Sequence, residues 1–161
     1  MPCKKSFSYS QIKAVSYIKD NKCYAIFVED IYKLIAPDHF ELTLERLRQF
    51  LVDEQHPYGT AQTKLCFAKI RRIYKRCFIY ELGVVKVCEY KQMVVEGNHR
   101  FIAYKLAGID FEIRPHTSSH CDMLKKYNEV YISEDDWDAN HEDTAKYCDD
   151  NYVDKNWIKK E

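Results

Sequence analysis

Glycine and proline are scarce in this chain, with four of each among 161 residues. That scarcity excludes collagen-like and low-complexity classes, which are built from them. Long apolar runs are absent, and no stretch approaches the roughly 18 residues that a membrane-spanning helix needs. The opening Met-Pro-Cys-Lys-Lys-Ser brings charge with no apolar stretch behind it, so no secretory signal is expected. An excess of one charge is missing too: 25 Lys and Arg face 25 Asp and Glu. Totals alone therefore argue against a strongly basic nucleic-acid binder. The seven cysteines are an odd number and contain no C-x-x-C pair, which disfavours a disulfide framework and a zinc ribbon. Reduced thiols in a cytoplasmic protein are the expectation.

Apolar and aromatic residues are plentiful, at 46% and 14%, with 13 Tyr and 8 Phe. Such a chain can bury a real core, and its length suits one domain. We expect a domain over residues 1–132 and an acidic, aromatic-bearing extension over 133–161 packed on it. From Ser133 to Glu161 there are ten acids and four bases, so the remainder carries an excess of six bases. An acidic end and a basic body suggest self-docking, or a body that takes an anionic ligand. Trp137, Tyr147, Tyr152 and Trp157 are expected to pack the extension down.

Along the chain, loose alternation over residues 12–28 around Asp20-Asn21 suits a β-hairpin. A helix from Ser8, with Ser8-x-x-Gln11 as a capping box, is the competitor. Residues 39–53 read as a helix opened by Asp38-x-x-Glu41, with Leu44, Leu47, Phe50 and Leu51 on one face. Residues 61–77 read as a second helix. It has Cys66, Ile70, Ile73 and Cys77 on one face, while Lys64, Lys69, Arg71, Arg72, Lys75 and Arg76 form a basic face that is expected to be solvated. Strands are expected around Val84–Tyr90 and Met93–Val95, turning at Lys91-Gln92. A short helix follows over Phe101–Leu106, closed by Gly108, then a strand over Ile109–Ile113. Ser118 or Ser119 is a candidate cap for a helix carrying Met123, Leu124 and Tyr127, and Ser133-x-x-Asp136 for a last one. The fold class is α+β: a small mixed β-sheet flanked by helices.

The segment Val94-Val95-Glu96-Gly97-Asn98-His99-Arg100-Phe101-Ile102-Ala103 carries the chemistry. A strand ends, glycine permits a tight turn, and a helix begins at or just after His99. Helix N-termini leave backbone N–H groups free and carry partial positive charge. Gly97 has no side chain to block approach, and Arg100 can fork onto phosphate oxygens. His99 can donate a hydrogen bond or move a proton near neutral pH. Glu96 can hold a divalent cation that a polyphosphate brings with it.

With its flanking β-runs, Glu-Gly-Asn-His-Arg followed by Phe-Ile-Ala-Tyr-Lys-Leu-Ala-Gly-Ile-Asp-Phe-Glu-Ile resembles the ParB/sulfiredoxin-like (ParB-like nuclease domain) superfamily. The resemblance covers about residues 84–113 and extends back to Ala25, where Val28-Glu29-Asp30-Ile31 is similar to the family's first strand-to-helix junction. It implies that Gly97, Asn98, His99 and Arg100 grip the phosphates of a nucleoside triphosphate, ATP or CTP, with Mg²⁺. In the kinase-like branch an acid near the first strand acts as general base, which points to Glu29, with Asp30 as the fallback. The sulfiredoxin branch has a Cys directly before its His-Arg, where this chain has Asn98, so sulfinic-acid repair is disfavoured. The segregation branch adds a helix-turn-helix domain, for which residues 114–161 are a poor match.

The expected function is therefore nucleotide binding with phosphoryl transfer or hydrolysis. One alternative is a DNA-binding protein or DNase that uses the same turn and the basic 64–76 helix. Another is a non-catalytic nucleotide sensor or toxin-like interaction protein. His116-x3-His120-Cys121 with His141 has the makings of a metal site, although Thr117-Ser118-Ser119 reads as a loop. Tyr90 and Tyr104 are candidates for stacking on a base.

Overall fold

Buried Val85, Val87 and Cys88 on one run, and Met93 and Val94 on the next, supply the apolar face that makes residues 85–96 a hairpin. A computed structural model describes residues 14–19, 22–27, 41–53, 56–78, 80–118, 123–149 and 152. In it β1 (Ala14–Lys19) and β2 (Lys22–Phe27) pair antiparallel, Lys19 opposite Lys22, as the alternation predicts. Helix α1 is Leu44–Asp53. Strands β3 (Gly59–Thr60) and β4 (Lys64–Cys66) precede helix α2, Phe67–Cys77. Then come β5 (Val85–Cys88), β6 (Met93–Glu96), helix α3 (Asn98–Ala107) and β7 (Ile113–Pro115). A 3₁₀ turn at Tyr127–Glu129, β8 (Tyr131–Ser133) and a 3₁₀ turn at Ala145–Cys148 complete the order.

The main sheet has the order β3-β6-β5-β7. Its centre is the antiparallel β5–β6 hairpin; β3 and β7 add parallel on either side. The fold is thus α+β with a small mixed sheet. An irregularity between Lys86 and Val87 sets Lys86 opposite Glu96, and the two side chains pair at 2.8 Å. Helix α3 buries Phe101, Ile102, Ala103 and Tyr104 in succession. Four consecutive positions cover every side of a helix, so α3 is a central element rather than a surface one. It packs against α2 and against β4, β5 and β6. Its end is the expected one: Gly108, at φ 66°, returns its N–H to the last turn.

Five expectations need correction. Residues 61–77 are not one helix: Lys64–Cys66 form a strand parallel to β8, with Leu65 opposite Ile132. A pairing partner so far along the chain is invisible to a helical count, which placed Cys66 on the helix. Helix α1 starts at Leu44, where Thr43 Oγ1 accepts the Arg46 N–H at 3.2 Å. Asp38 lies outside the described residues, and Glu41 instead pairs with Lys75 at 3.3 Å. No helix carries Met123, Leu124 and Tyr127. The Lys125 backbone is recruited by Thr60 through reciprocal bonds of 2.9 and 2.8 Å. Ser133 ends a strand instead of opening a helix, and its Oγ accepts the Asp135 N–H at 3.2 Å, as the Asp136 carboxylate accepts from Asp138 N–H. Such local bonds compete with the helical ladder. The strand expected at 109–113 forms later, at Ile113–Pro115, where it meets β5.

Among the described residues, no helix is long and apolar enough to cross a membrane. Cys66, Cys77, Cys88 and Cys148 are unbridged.

Candidate functional site

The turn at Gly97 is where sheet, helix and cavity meet. Gly97 sits at φ 88°, a conformation that lets β6 run directly into α3. The first intrahelical bond is Phe101 N–H to Gly97 O at 2.8 Å. The N–H groups of Asn98, His99 and Arg100 precede it, and Gly97 has no side chain to cap them.

Arg100 is seated on two glycines. A Cβ at Gly83, itself at φ 107°, would lie 2.8 Å from Arg100 Nη1, and one at Gly97 would lie 3.0 Å from Nε and Nη2. The guanidinium thus fills the space that two absent side chains leave. Its oxygen partners are distant: Leu82 O at 3.5 Å and Glu96 Oε1 at 3.9 Å. Neither matches the short bidentate bond that an arginine makes with a carboxylate or phosphate.

Asn98 and His99 are partly engaged in holding the turn. The buried Asn98 accepts at Oδ1 from Thr60 Oγ1 at 2.7 Å and from Tyr127 hydroxyl at 2.8 Å. Its backbone N–H and carboxamide nitrogen remain as donors. His99 Nε2 accepts the Cys66 N–H at 2.9 Å. An accepting Nε2 places the proton of the neutral ring on Nδ1. Burial, with help from Lys69 and Arg100, pushes the His99 pKa down to about 4, against a weaker opposing pull from Asp138. Of the two roles expected for His99, this arrangement provides hydrogen-bond donation by a neutral ring. The ring meets Trp137 edge-on at 5.7 Å, and Lys64 lies over that indole at 5.2 Å.

Glu96 is exposed and pairs with Lys86, which holds its carboxyl below the usual range. Mg²⁺ is held through one or two carboxylates together with substrate phosphates. Glu96 fits that arrangement as a single contributor beside the turn. No group of three or more His, Cys, Asp or Glu suited to a metal occurs among the described residues. His116 is exposed; His120 and Cys121 lie outside the described residues. Glu29 and Asp30 also lie outside them, so the turn is described without its expected base. Tyr104 is buried and donates to Gly83 O at 2.9 Å, while Tyr90 is 95% exposed at the β5–β6 turn.

A cavity of about 550 Å³ opens over this turn. Residues 95–100 line one side, Lys69, Arg72, Ile73 and Arg76 of α2 another, and Asp138, Thr144 and Tyr147 a third. The α2 contribution is the part that sequence reading missed. Arg72 and Arg76 are 4% and 5% exposed, not solvated. Arg72 forks onto Asp136 with two bonds of 2.7 Å and reaches Asp138 at 2.8 Å. Arg76 donates to the carbonyls of Tyr147 and Asp149 at 3.0 and 2.6 Å. The signal for this contact was the charge split between the acidic end and the basic body, which named the partners without the register.

No family model, no curated protein and no solved structure matches the chain.

Proposed function

We propose that this chain is a ParB/sulfiredoxin-like domain that binds a nucleoside triphosphate, ATP or CTP, with Mg²⁺, at residues 97–100. One observation carries the reading. Arg100 packs on two glycines and has only distant acceptors, at the start of a buried helix and in the wall of a cavity. A guanidinium so placed, with three backbone N–H groups beside it, has the donors that a phosphoryl group needs. Neutral His99 adds a further donor, and Glu96 lines the same cavity as a carboxylate for the cation. Bound Mg²⁺ would neutralise phosphate charge.

The resemblance adds the reaction class: phosphoryl transfer or hydrolysis, with charge on the phosphates stabilised by Arg100 and His99 and Glu29 or Asp30 as base. A cytoplasmic setting suits such a ligand and seven cysteines. A DNA-binding or nuclease role is the weaker reading. It needs the α2 cations, and Arg72 and Arg76 are buried under the acidic segment.

The test is thermal unfolding of the wild type and Arg100→Ala with ATP, CTP, GTP, UTP or short DNA, each with and without Mg²⁺. A ligand at 100 times its Kd adds about 2.7 kcal/mol, or about 5 to 10 °C for a chain of this size. One nucleotide should shift the wild type and not the variant. Equal shifts in both proteins, or none in either, would overturn the reading. A shift with DNA alone, abolished by salt, would favour the weaker one. Turnover of the shifting nucleotide then separates an enzyme from a sensor.

A further inference from the structure

The cavity over the turn is richer in positive charge than one phosphoryl group requires. Lys69, Arg72, Arg76 and Arg100 line it, against the carboxylates of Glu96 and Asp138. Three of those cations share one face of α2, three and four residues apart, over a rise of about 10 Å. One stretch of the chain's own acidic end takes all three. Asp136 and Asp138 hold Arg72; Asp138 also pairs with Lys69 at 3.4 Å; the Tyr147 and Asp149 carbonyls accept from Arg76. Arg72 is 96% buried in the cavity wall, yet its Nε has no hydrogen-bond partner. Carboxylates satisfy two of its three nitrogens. Both ends of this contact are charged, and the planar fork that reads Asp136 reads a phosphoryl group equally well.

We propose that residues 136–149 are an internal stand-in for a polyphosphate chain: Asp136 and Asp138 take the places on Arg72 that phosphoryl groups occupy, and the site fills by exchange with this segment. The inference deepens the phosphate-binding reading and rests on it. It also sets the ligand class. Orthophosphate is satisfied by Arg100 and the α3 N-terminus and leaves the segment in place. A chain of three phosphoryl groups runs on from the turn to the α2 stripe and must displace Asp138. With the segment displaced, four cations face Glu96 as the one carboxylate among the described lining residues, a balance suited to a triphosphate and excessive for a monophosphate.

Trp137 reports on the exchange because it lies within the segment, against His99. The chain has two tryptophans, so Trp157→Phe leaves Trp137 as the sole indole. The Trp157→Phe protein would be titrated with inorganic tripolyphosphate, orthophosphate, and sulfate at matched ionic strength. Tripolyphosphate should give a saturable red shift of Trp137 emission that the other two do not. Asp138→Asn, which removes a like charge from the site, should tighten tripolyphosphate binding about tenfold; binding seen only in that variant supports the exchange equally. Arg100-dependent binding with no movement of Trp137 emission and no tightening in Asp138→Asn overturns the exchange and leaves the phosphate reading intact. An equal emission change with sulfate reduces the effect to charge screening and also overturns it. Failure of tripolyphosphate to bind either protein overturns both readings. If Asp138→Asn does not fold, the emission titration decides alone.

Discussion

His99 shows how one backbone bond fixes the chemistry of a side chain. Because Nε2 accepts from Cys66 N–H, a proton on that nitrogen would face another donor. Burial, with Lys69 and Arg100 nearby, lowers the pKa of the folded ring to about 4, whereas an unfolded histidine titrates near 6.5. Between those values the unfolded chain binds the proton and the folded one does not, so His99 lowers stability as pH falls. That contribution is intact above pH 6.5 and is lost progressively toward pH 4. From pH 7 to pH 5 the loss attached to this one group is about 2 kcal/mol. His99→Gln offers an acceptor that does not titrate, so its stability should fall less over the same range. Urea unfolding of both proteins at pH 7 and pH 5 checks this; a constant difference between them would sink it. Arg100 makes the complementary point. The sequence singles it out as a candidate phosphate ligand, but the two glycines beneath it are not equally legible. Gly97 is adjacent and announces the turn; Gly83 comes from a loop that only the folded chain brings alongside.

At the scale of elements, α2 carries the largest difference between what the sequence reads and what the chain does. Its apolar stripe was legible because Ile70 and Cys77 repeat at helical spacing, and both are buried. Its basic face read as solvated because Arg72 finds its carboxylates 64 and 66 residues away. Local spacing holds no information on that pairing, and the same reason hid β4, whose partner β8 begins at Tyr131. Segments whose partners are near in sequence are read more closely: the β5–β6 hairpin nearly to the residue, and the helix closed by Gly108 correctly at its end but three residues late at its start, Phe101 against Asn98. The long-range pairing has an energetic consequence. Arg72→Met keeps the aliphatic stem but strands Asp136 beside a nearly buried Asp138. Removing one partner of a buried ion pair costs about 3 to 5 kcal/mol. We expect urea unfolding to show a loss of that order for Arg72→Met, and a clearly smaller one for Arg72→Met combined with Asp138→Asn. Strict additivity of Arg72→Met and Asp138→Asn would mean that the pair is not coupled.

For the whole molecule, the contrast is between an apolar centre and a polar cover. Phe101, Ile102, Tyr104, Val85, Val87 and Val94 form one core with Leu47, Leu65 and Ile70. Residues 136–149 contribute no member to it; among them, only Asp138 is buried. Ion pairs, guanidinium–carbonyl bonds and the Trp137–His99 ring contact therefore hold the cover, while apolar burial holds the body. Stability in such a chain is not uniform, since segments with few apolar contacts open below the global free energy. Native-state hydrogen exchange should rank the amides accordingly. Those of α3 and the β5–β6 hairpin should exchange only through global unfolding. Those of the Ala145–Cys148 turn should exchange through a smaller opening, one that grows as salt weakens the ion pairs that are only partly buried. A cover bound this way can leave the cavity without unfolding the domain, which is what exchange with a polyanion requires. Equal protection of the turn and α3 at low and high salt would make the cover part of the cooperative core, and the cavity would then have a fixed wall.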